Sequence, residues 1–529
     1  MRRPLLLLAR ATEGAVAPTI ALSLFGLIAA GGIAFDYSRM ASLDTELQDA
    51  ADQSALAAAS QLDGRTGACS RANSAARVMI ANKTLFANDG SGTSITIPDE
   101  PTCDASGNVR FYQDKDKTTA ATSDANAHFV QVTVNARTAN FTLTPIVQAV
   151  SSGQLAATAY AGLASSICKV PPVMICNPQE TGTNSGFNAS TLIGAGLRLV
   201  SVGNGGSWAP GNFGYLDTNA GNGAAVLREV LGWQTPPGDC TPITGVNTKP
   251  GATTTVTDAI NTRFDIYDQG QSCPSGGTCP PSANSTKDLV RRNGNGNNSC
   301  TLGSQGWQEA SSPYLAPSAT TPMTLAQAQA VQAMGYPRDM CHAVSSTGSC
   351  TGGKVGNGTW DRDAYFYVNY GWGNGSYGTT PTWQTLTGLG STATRYQVYQ
   401  WEMAHAGQTI GGKVILNTSG RGYGSGNNAR TAYGAPVCSP PGITPSGSSV
   451  DRRRITAAVI NCTANSVNGN STDVPVEKWV DLFLTEPSVN RARTSASDVY
   501  AEVIGETLSG GNGTTNAQVV RRDVPYLIE

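Results

Sequence analysis

The chain has 529 residues, long enough for several domains and a sizeable core, and its net charge of −2 leaves no basic surplus for nucleic acid. Charged residues make up 14%, well under the usual quarter, while glycine counts 60 and proline 28, a composition that favours loops and short strands. Three histidines and the absence of any C-x-x-C pair speak against a metal or acid–base enzyme, so no catalytic, cofactor or metal residue is expected.

In chain order, residues 1–14 form a short basic segment with Arg2, Arg3 and Arg10 against Glu13 alone. Residues 15–35, "AVAPTIALSLFGLIAAGGIAF", follow without a charge. As a helix they span about 31 Å, one bilayer core, so a transmembrane helix contacting lipid through 15–35 is expected. The arginine bias places the N-terminus in the cytoplasm and the remainder outside. A cleaved signal peptide is the rival, because Gly32-Ile33-Ala34 offers a small-x-small site; the apolar run is longer than the usual signal core, which favours an uncleaved anchor.

Residues 36–63 continue as a stalk helix. Leu43, Leu47, Ala50, Ala51, Ser54, Ala58 and Leu62 recur at helical spacing, with Asp44, Glu46, Gln48, Asp49, Asp52 and Gln53 mostly on the other side. Alanine has the best helix propensity and lets neighbouring backbones approach, so Leu47, Ala50, Ala51, Ser54 and Ala58 are expected to line a close-packed seam. The span and the stalk can run as one helix.

These residues carry a resemblance. Gly14 at the membrane entry, the apolar span, Asp36 at its exit, and Leu47-Gln48-Asp49-Ala50-Ala51-Asp52 followed by Ala55-Leu56-Ala57 resemble the N-terminal module of Tad (tight-adherence) Flp-pilus assembly proteins of the TadE/TadG-like group. The resemblance covers about 50 residues. It implies a bacterial inner-membrane protein with a single span and its bulk in the periplasm, partnered by other pilin-like and Tad assembly proteins. The pattern departs from processed pilins: counting back from Glu13 puts Leu8 at the prepilin cut, where a small residue is needed. Neither Asp36-Tyr37-Ser38-Arg39-Met40 nor Asp104-Ala105-Ser106-Gly107-Asn108 completes the D-x-S-x-S motif of the von Willebrand A domain found in some relatives, so that domain is not expected.

Residues 64–167 read as a small pilin-like α+β head. Its expected elements are helices at 74–88 and 144–150, and strands at 93–98, 108–113, 128–136 and 154–163, the alternation in "HFVQVTVNA" being the clearest. The alanine seam is expected to lie against this head. From the Pro171-Pro172 break, residues 168–529 read as a Gly/Asn-rich, β-rich extracytoplasmic region stapled by disulfides, giving an α+β chain overall. Short helices are expected in "AAVLREVLGW" and "TLAQAQAVQAMGY", and 266–304 as a stapled extended loop.

Twelve cysteines, all beyond residue 60, fit disulfides in an oxidising compartment. Short loops close at least entropy cost, which pairs Cys69–Cys103, Cys168–Cys176, Cys273–Cys279, Cys341–Cys350 and Cys438–Cys462, leaving Cys240–Cys300.

Three further features are candidate sites. Gly373-Asn374-Gly375-Ser376-Tyr377-Gly378 matches G-x-G-x-x-G, but no long helical period follows to receive a pyrophosphate. Eleven aromatics fall between Trp360 and Trp401, a β-domain core or, if exposed, a platform for sugars. Asp361, Asp363, Glu402 and His405 near them lack metal-loop spacing. Arg452-Arg453-Arg454 reads as an exposed turn entering a strand. The function expected is a non-enzymatic, membrane-anchored part of a Tad/Flp pilus assembly and attachment apparatus; the alternative is a carbohydrate-binding or carbohydrate-active protein using the 360–401 aromatics.

Overall fold

A computed structural model describes residues 16–528 apart from 64–65, 80–82, 100–101, 125, 144–151, 172, 184–185, 202–207, 219, 222, 243–244, 250–255, 257, 268–272, 295–298, 346–347, 351–352, 375–376, 378–380, 439–450, 469, 495–497 and 508–518. The architecture is α+β, with a long apolar N-terminal helix and several disulfides. The chain divides into two compact units, Met1–Ser165 with Arg522–Glu529, and Ser166–Arg521.

In the first unit, helix α1 (Val16–Ala59) runs unbroken for 44 residues, about 66 Å. Helix α2 (Ala68–Met79) follows. Strands β1 (Val109–Tyr112), β2 (Phe129–Thr133) and β5 (Thr158–Cys168) form an antiparallel sheet in the order β1-β2-β5. A separate hairpin joins β3 (Arg137–Asn140) to β4 (Ser152–Leu155). Alternate residues of the sheet, Val109 and Phe111, Val130 and Val132, Ala159 and Ala161, meet Ala72 and Ala76 of α2 and the buried stripe of α1 in one apolar core.

Several expectations for the head are corrected. The helix expected over 74–88 occupies Ala68–Met79, because the Asp124 carboxylate, 55 residues away in sequence from Cys69, accepts the N–H groups of Gly67 (2.8 Å) and Cys69 (2.9 Å) and caps an earlier start. No strand forms at 93–98; Ser94 makes a single bridge with Lys83, although Ile95 and Ile97 are buried as their alternation requires. The strand expected at 154–163 divides into the end of β4 and the start of β5. The helix expected at 144–150 lies outside the described residues. The region expected to run to 529 gives up its last stretch: strand Val519–Leu527 joins the head sheet beside β5, and the Ile528 N–H donates to the Tyr160 carbonyl (2.8 Å). Such pairing across some 350 residues leaves no local sequence signal.

The second unit is built on β6 (Val173–Cys176), β7 (Gly196–Ser201), β8 (Asn212–Leu216), β9 (Arg454–Ile460), β10 (Val474–Leu484) and β11 (Asp498–Glu506). They pair in the order β10-β9-β6-β8-β7-β11, and β11 pairs back to β10, so the path closes on itself. Closure removes the exposed edges of these strands. One set of alternate side chains, among them Leu197, Leu199, Ala457, Val459, Val480 and Leu482, feeds a shared core with helix α3 (Ala224–Gly232). β7 and β8 run parallel, so these two strands, successive in the chain, pair without forming a hairpin. The loop expected at 266–304 contains a strand, Leu289–Arg292, in a separate four-stranded sheet.

Disulfides join Cys69–Cys103, Cys273–Cys279 and Cys341–Cys350. The other expected pairs, Cys168–Cys176, Cys438–Cys462 and Cys240–Cys300, are replaced by Cys168–Cys240, Cys176–Cys462 and Cys300–Cys438. Loop entropy rises only with the logarithm of length, so closing a loop twelve times longer costs only about 2 kcal/mol more. Strand register decides instead. β6 runs parallel to β9 with Cys176 opposite Ile460, which brings Cys462 to a Cα separation of 5.2 Å.

Candidate functional site: the apolar helix and its head

Helix α1 has two halves with opposite surroundings. Val16, Ile20, Leu22, Leu24, Phe25, Leu27 and Ile28 are each more than half exposed, on a helix long and apolar enough to cross a membrane. From Gly32 onward one face disappears into the head. Leu47, Ala50, Ala51, Ser54 and Ala58, the residues singled out by spacing, are all buried, together with Leu43, Ala55 and Ala59. The Ser54 hydroxyl donates to the Ala50 carbonyl (2.6 Å), so the one polar side chain in the seam is satisfied within the helix.

Polar residues of the same helix hold the head by its backbone. Asp36, only 1% exposed, accepts the N–H groups of Thr142 (3.0 Å) and Leu143 (2.9 Å). One turn earlier, a Cβ on Gly32 would stand 3.0 Å from the Leu143 Cβ, so the missing side chain permits this close approach. Further up, Glu46 accepts the Leu85 N–H at 3.0 and 3.1 Å, and the Arg39 guanidinium donates to the Phe86 carbonyl (3.1 Å). Sequence reading marked Asp36 as a motif residue and Glu46 as part of the polar side; neither partner was visible, because both lie more than 35 residues away.

The candidate acidic residues of the larger unit are each engaged by neighbouring groups. Asp361 caps helix α4 (Arg362–Tyr370), accepting the Ala364 N–H (3.1 Å), and also accepts the Met323 N–H (2.8 Å). Asp363 accepts from the Trp383 indole (2.7 Å). Glu402, on helix α5 (Arg395–Ala404), is fully buried and accepts from Tyr336, Tyr365 (2.7 Å), Tyr370 (2.8 Å) and Asn284 (2.7 Å). Burial pushes its carboxyl above the usual range against those hydrogen bonds. His405 closes α5, its Nδ1 2.7 Å from the Trp401 carbonyl. The four residues thus have separate partners and form no common site.

Of the aromatics, Trp360, Tyr365, Phe366, Tyr370, Trp372, Tyr377, Trp383 and Tyr399 are buried in one core with rings in mutual contact, and Tyr367, Tyr396 and Trp401 pack against it half-buried. After Gly373 the only described helix nearby is Trp383–Thr387, too short for a dinucleotide site; residues 375–376 and 378–380 of the glycine-rich stretch and its sequel lie outside the described residues.

Arg452 and Arg453 correct a further expectation, since both are buried although they do enter a strand. Arg452 donates to the carbonyls of Gly232 (2.6 Å) and Pro280 (3.1 Å), and Arg453 to those of Leu484 (3.0 Å), Thr485 (2.9 Å) and Thr286 (3.1 Å). Arg453 also lies over the rings of Phe264 (4.5 Å) and Phe483 (4.8 Å). Backbone carbonyls from remote segments replace the water a cation would otherwise need, which no local pattern announces. Arg395 is buried between Asp339 and Glu502, the latter at 2.8 Å. Nearby, His342 sits with Nδ1 2.7 Å from the Tyr500 hydroxyl, and burial pushes its imidazole down to about 4.

Among the described residues, an exposed apolar helix that runs without interruption into the core of its own α+β head is one candidate N-terminal membrane anchor. Residues 14–61 match the family model described as "Putative Flp pilus-assembly TadE/G-like". The match coincides with α1 and its seam, and it ties this module to Tad/Flp pilus assembly. Comparison with curated proteins and with solved structures returned no match for the chain.

Proposed function

We propose that the chain is a non-enzymatic, single-pass component of a Tad/Flp-type pilus assembly and surface-attachment apparatus. Residues 15–35 hold it in the bacterial inner membrane, with the N-terminus in the cytoplasm and the bulk in the periplasm. Its partners are other pilin-like and Tad assembly proteins. The observation that carries this reading is the coincidence of the 14–61 match with a helix that is bare and apolar in its first half and head-bound in its second. The arginines before the span support the orientation. The non-enzymatic part rests on the weighed acidic residues being taken up by caps and buried hydrogen bonds, and the carbohydrate alternative loses its motive because the rings that prompted it are core.

Deleting the gene should abolish piliation and surface attachment, and restoring the full chain should recover both. Protease added to spheroplasts should leave a protected fragment of roughly 40 residues. Normal pili in the deletion strain would refute the assembly role, and a soluble mature protein starting near Phe35 would refute the anchor.

A further inference from the structure

The depth of the head on its helix points to a second contact with the bilayer. The uncharged run starts at Gly14, the described helix starts at Val16, and the head already touches the helix at Gly32, where the Leu143 Cβ comes close. From Val16 to Gly31 the described bare helix measures only about 24 Å, short of a hydrocarbon core of about 30 Å. The missing distance is about one helical turn, from Gly32 to Phe35. Along that turn the residues facing away from the head stay apolar and exposed, with Ile33 at 48% and Phe35 at 54%.

We propose that the head is sunk into the outer face of the membrane, with the turn at 141–143 at the edge of the hydrocarbon and Leu143 against the acyl chains. The reading rests on residues 15–35 being the anchor. Three observations make the depth physically affordable. Leu143 is apolar and 40% exposed at the lower end of the described head. The Thr142 and Leu143 N–H groups are satisfied by Asp36, so that backbone brings no unpaired donor toward lipid. The Asp36 carboxylate is 1% exposed and covered by the same turn, which shields a charge at the membrane boundary. Above this level the side chains change character as an interface requires. Tyr37 is exposed, Phe86 is partly exposed, and Arg39 binds the Phe86 carbonyl about 10 Å above Gly32, within reach of the headgroups.

The alternative is a head clear of the membrane, with the bilayer thinned or the helix lowered to compensate. The two arrangements differ in what surrounds residue 143. The test uses the full chain reconstituted in phospholipid vesicles, with one nitroxide-labelled cysteine at a time: Leu24→Cys, Leu143→Cys, Tyr37→Cys and Thr45→Cys. Collisions with oxygen report hydrocarbon and collisions with a water-soluble nickel chelate report water. The expected order of the oxygen-to-nickel ratio is Leu24 highest, then Leu143, then Tyr37, with Thr45 lowest and Leu143 several-fold above Thr45. A Leu143 label as open to nickel as Thr45, while Leu24 stays deep, overturns the seating and leaves the anchor intact. A Leu24 label open to nickel overturns the anchor, and the seating with it. Tyr37 lies on α1 itself, so its headgroup-level signal checks the depth even if the label at 143 disturbs the turn; a fully aqueous signal there also overturns the proposal.

Discussion

The two units solve the same problem, holding long separations of chain together, with different chemistry. In the head, a stripe of alanine and leucine on one helix meets a sheet whose inward residues are mostly alanine and valine, and the buried carboxylate of that helix, Asp36, accepts backbone N–H groups. In the larger unit, buried arginines, carboxylates and tyrosines interlock among segments up to 205 residues apart, and disulfides span as many as 286. The difference teaches that a seam of small side chains tolerates little added volume, whereas an ionic interior tolerates little loss of a partner.

The largest expected effect is therefore in the second unit. Arg395→Met leaves Asp339 and Glu502 buried without their cation and should cost about 3–5 kcal/mol. Denaturant unfolding of the detergent-solubilised chain measures it, and a loss below about 1 kcal/mol would mean the ion cluster is more hydrated than its burial implies.

Acid should act on the same unit. His342 is held neutral, with its pKa near 4 against 6.5 in the unfolded chain. Between these values the unfolded chain binds a proton that the folded one refuses. Stability should accordingly fall as pH drops from about 6.5 to about 4, by at most about 3 kcal/mol, and level off below. His342→Asn should flatten that part of the profile relative to wild type; an unchanged slope would assign the acid sensitivity to other groups.

In the head the effects are smaller and steric. Ala51→Leu should overpack the seam against α2 and cost about 1–3 kcal/mol, read as a lowered melting temperature and reduced protein level. Asp49→Ala, on the exposed side two residues earlier, should change stability by less than about 0.5 kcal/mol. Equal responses at 49 and 51 would leave the alanine stripe as helix propensity alone.

Much of the head's logic was legible because it is written at helical and strand spacing. Ala50, Ala51, Ser54 and Ala58 mark a buried face by period, and "HFVQVTVNA" marks a half-buried strand by alternation. The start of α2 was not legible, since its cap, Asp124, lies far along the chain. In the second unit, the burial of Arg452 and Arg453 was equally hidden, because the carbonyls that receive them come from residues 232, 280, 286 and 484–485.

By itself the sequence determined the apolar span, the continuous helix behind it, the small-residue face of that helix, and the family likeness carried by Gly14, Asp36 and the Leu47–Asp52 signature. These depend on neighbours within a few residues, where composition and period act directly. Tertiary structure alone decided that Asp36 caps the 142–143 backbone, that Cys176 bonds Cys462, that the C-terminal strand returns to the head sheet, and that the 360–401 aromatics turn inward around Glu402. Each of these is a meeting of distant segments. The free energy that selects among such meetings comes from the register and burial of the whole fold, to which loop length and local propensity contribute only a few kcal/mol.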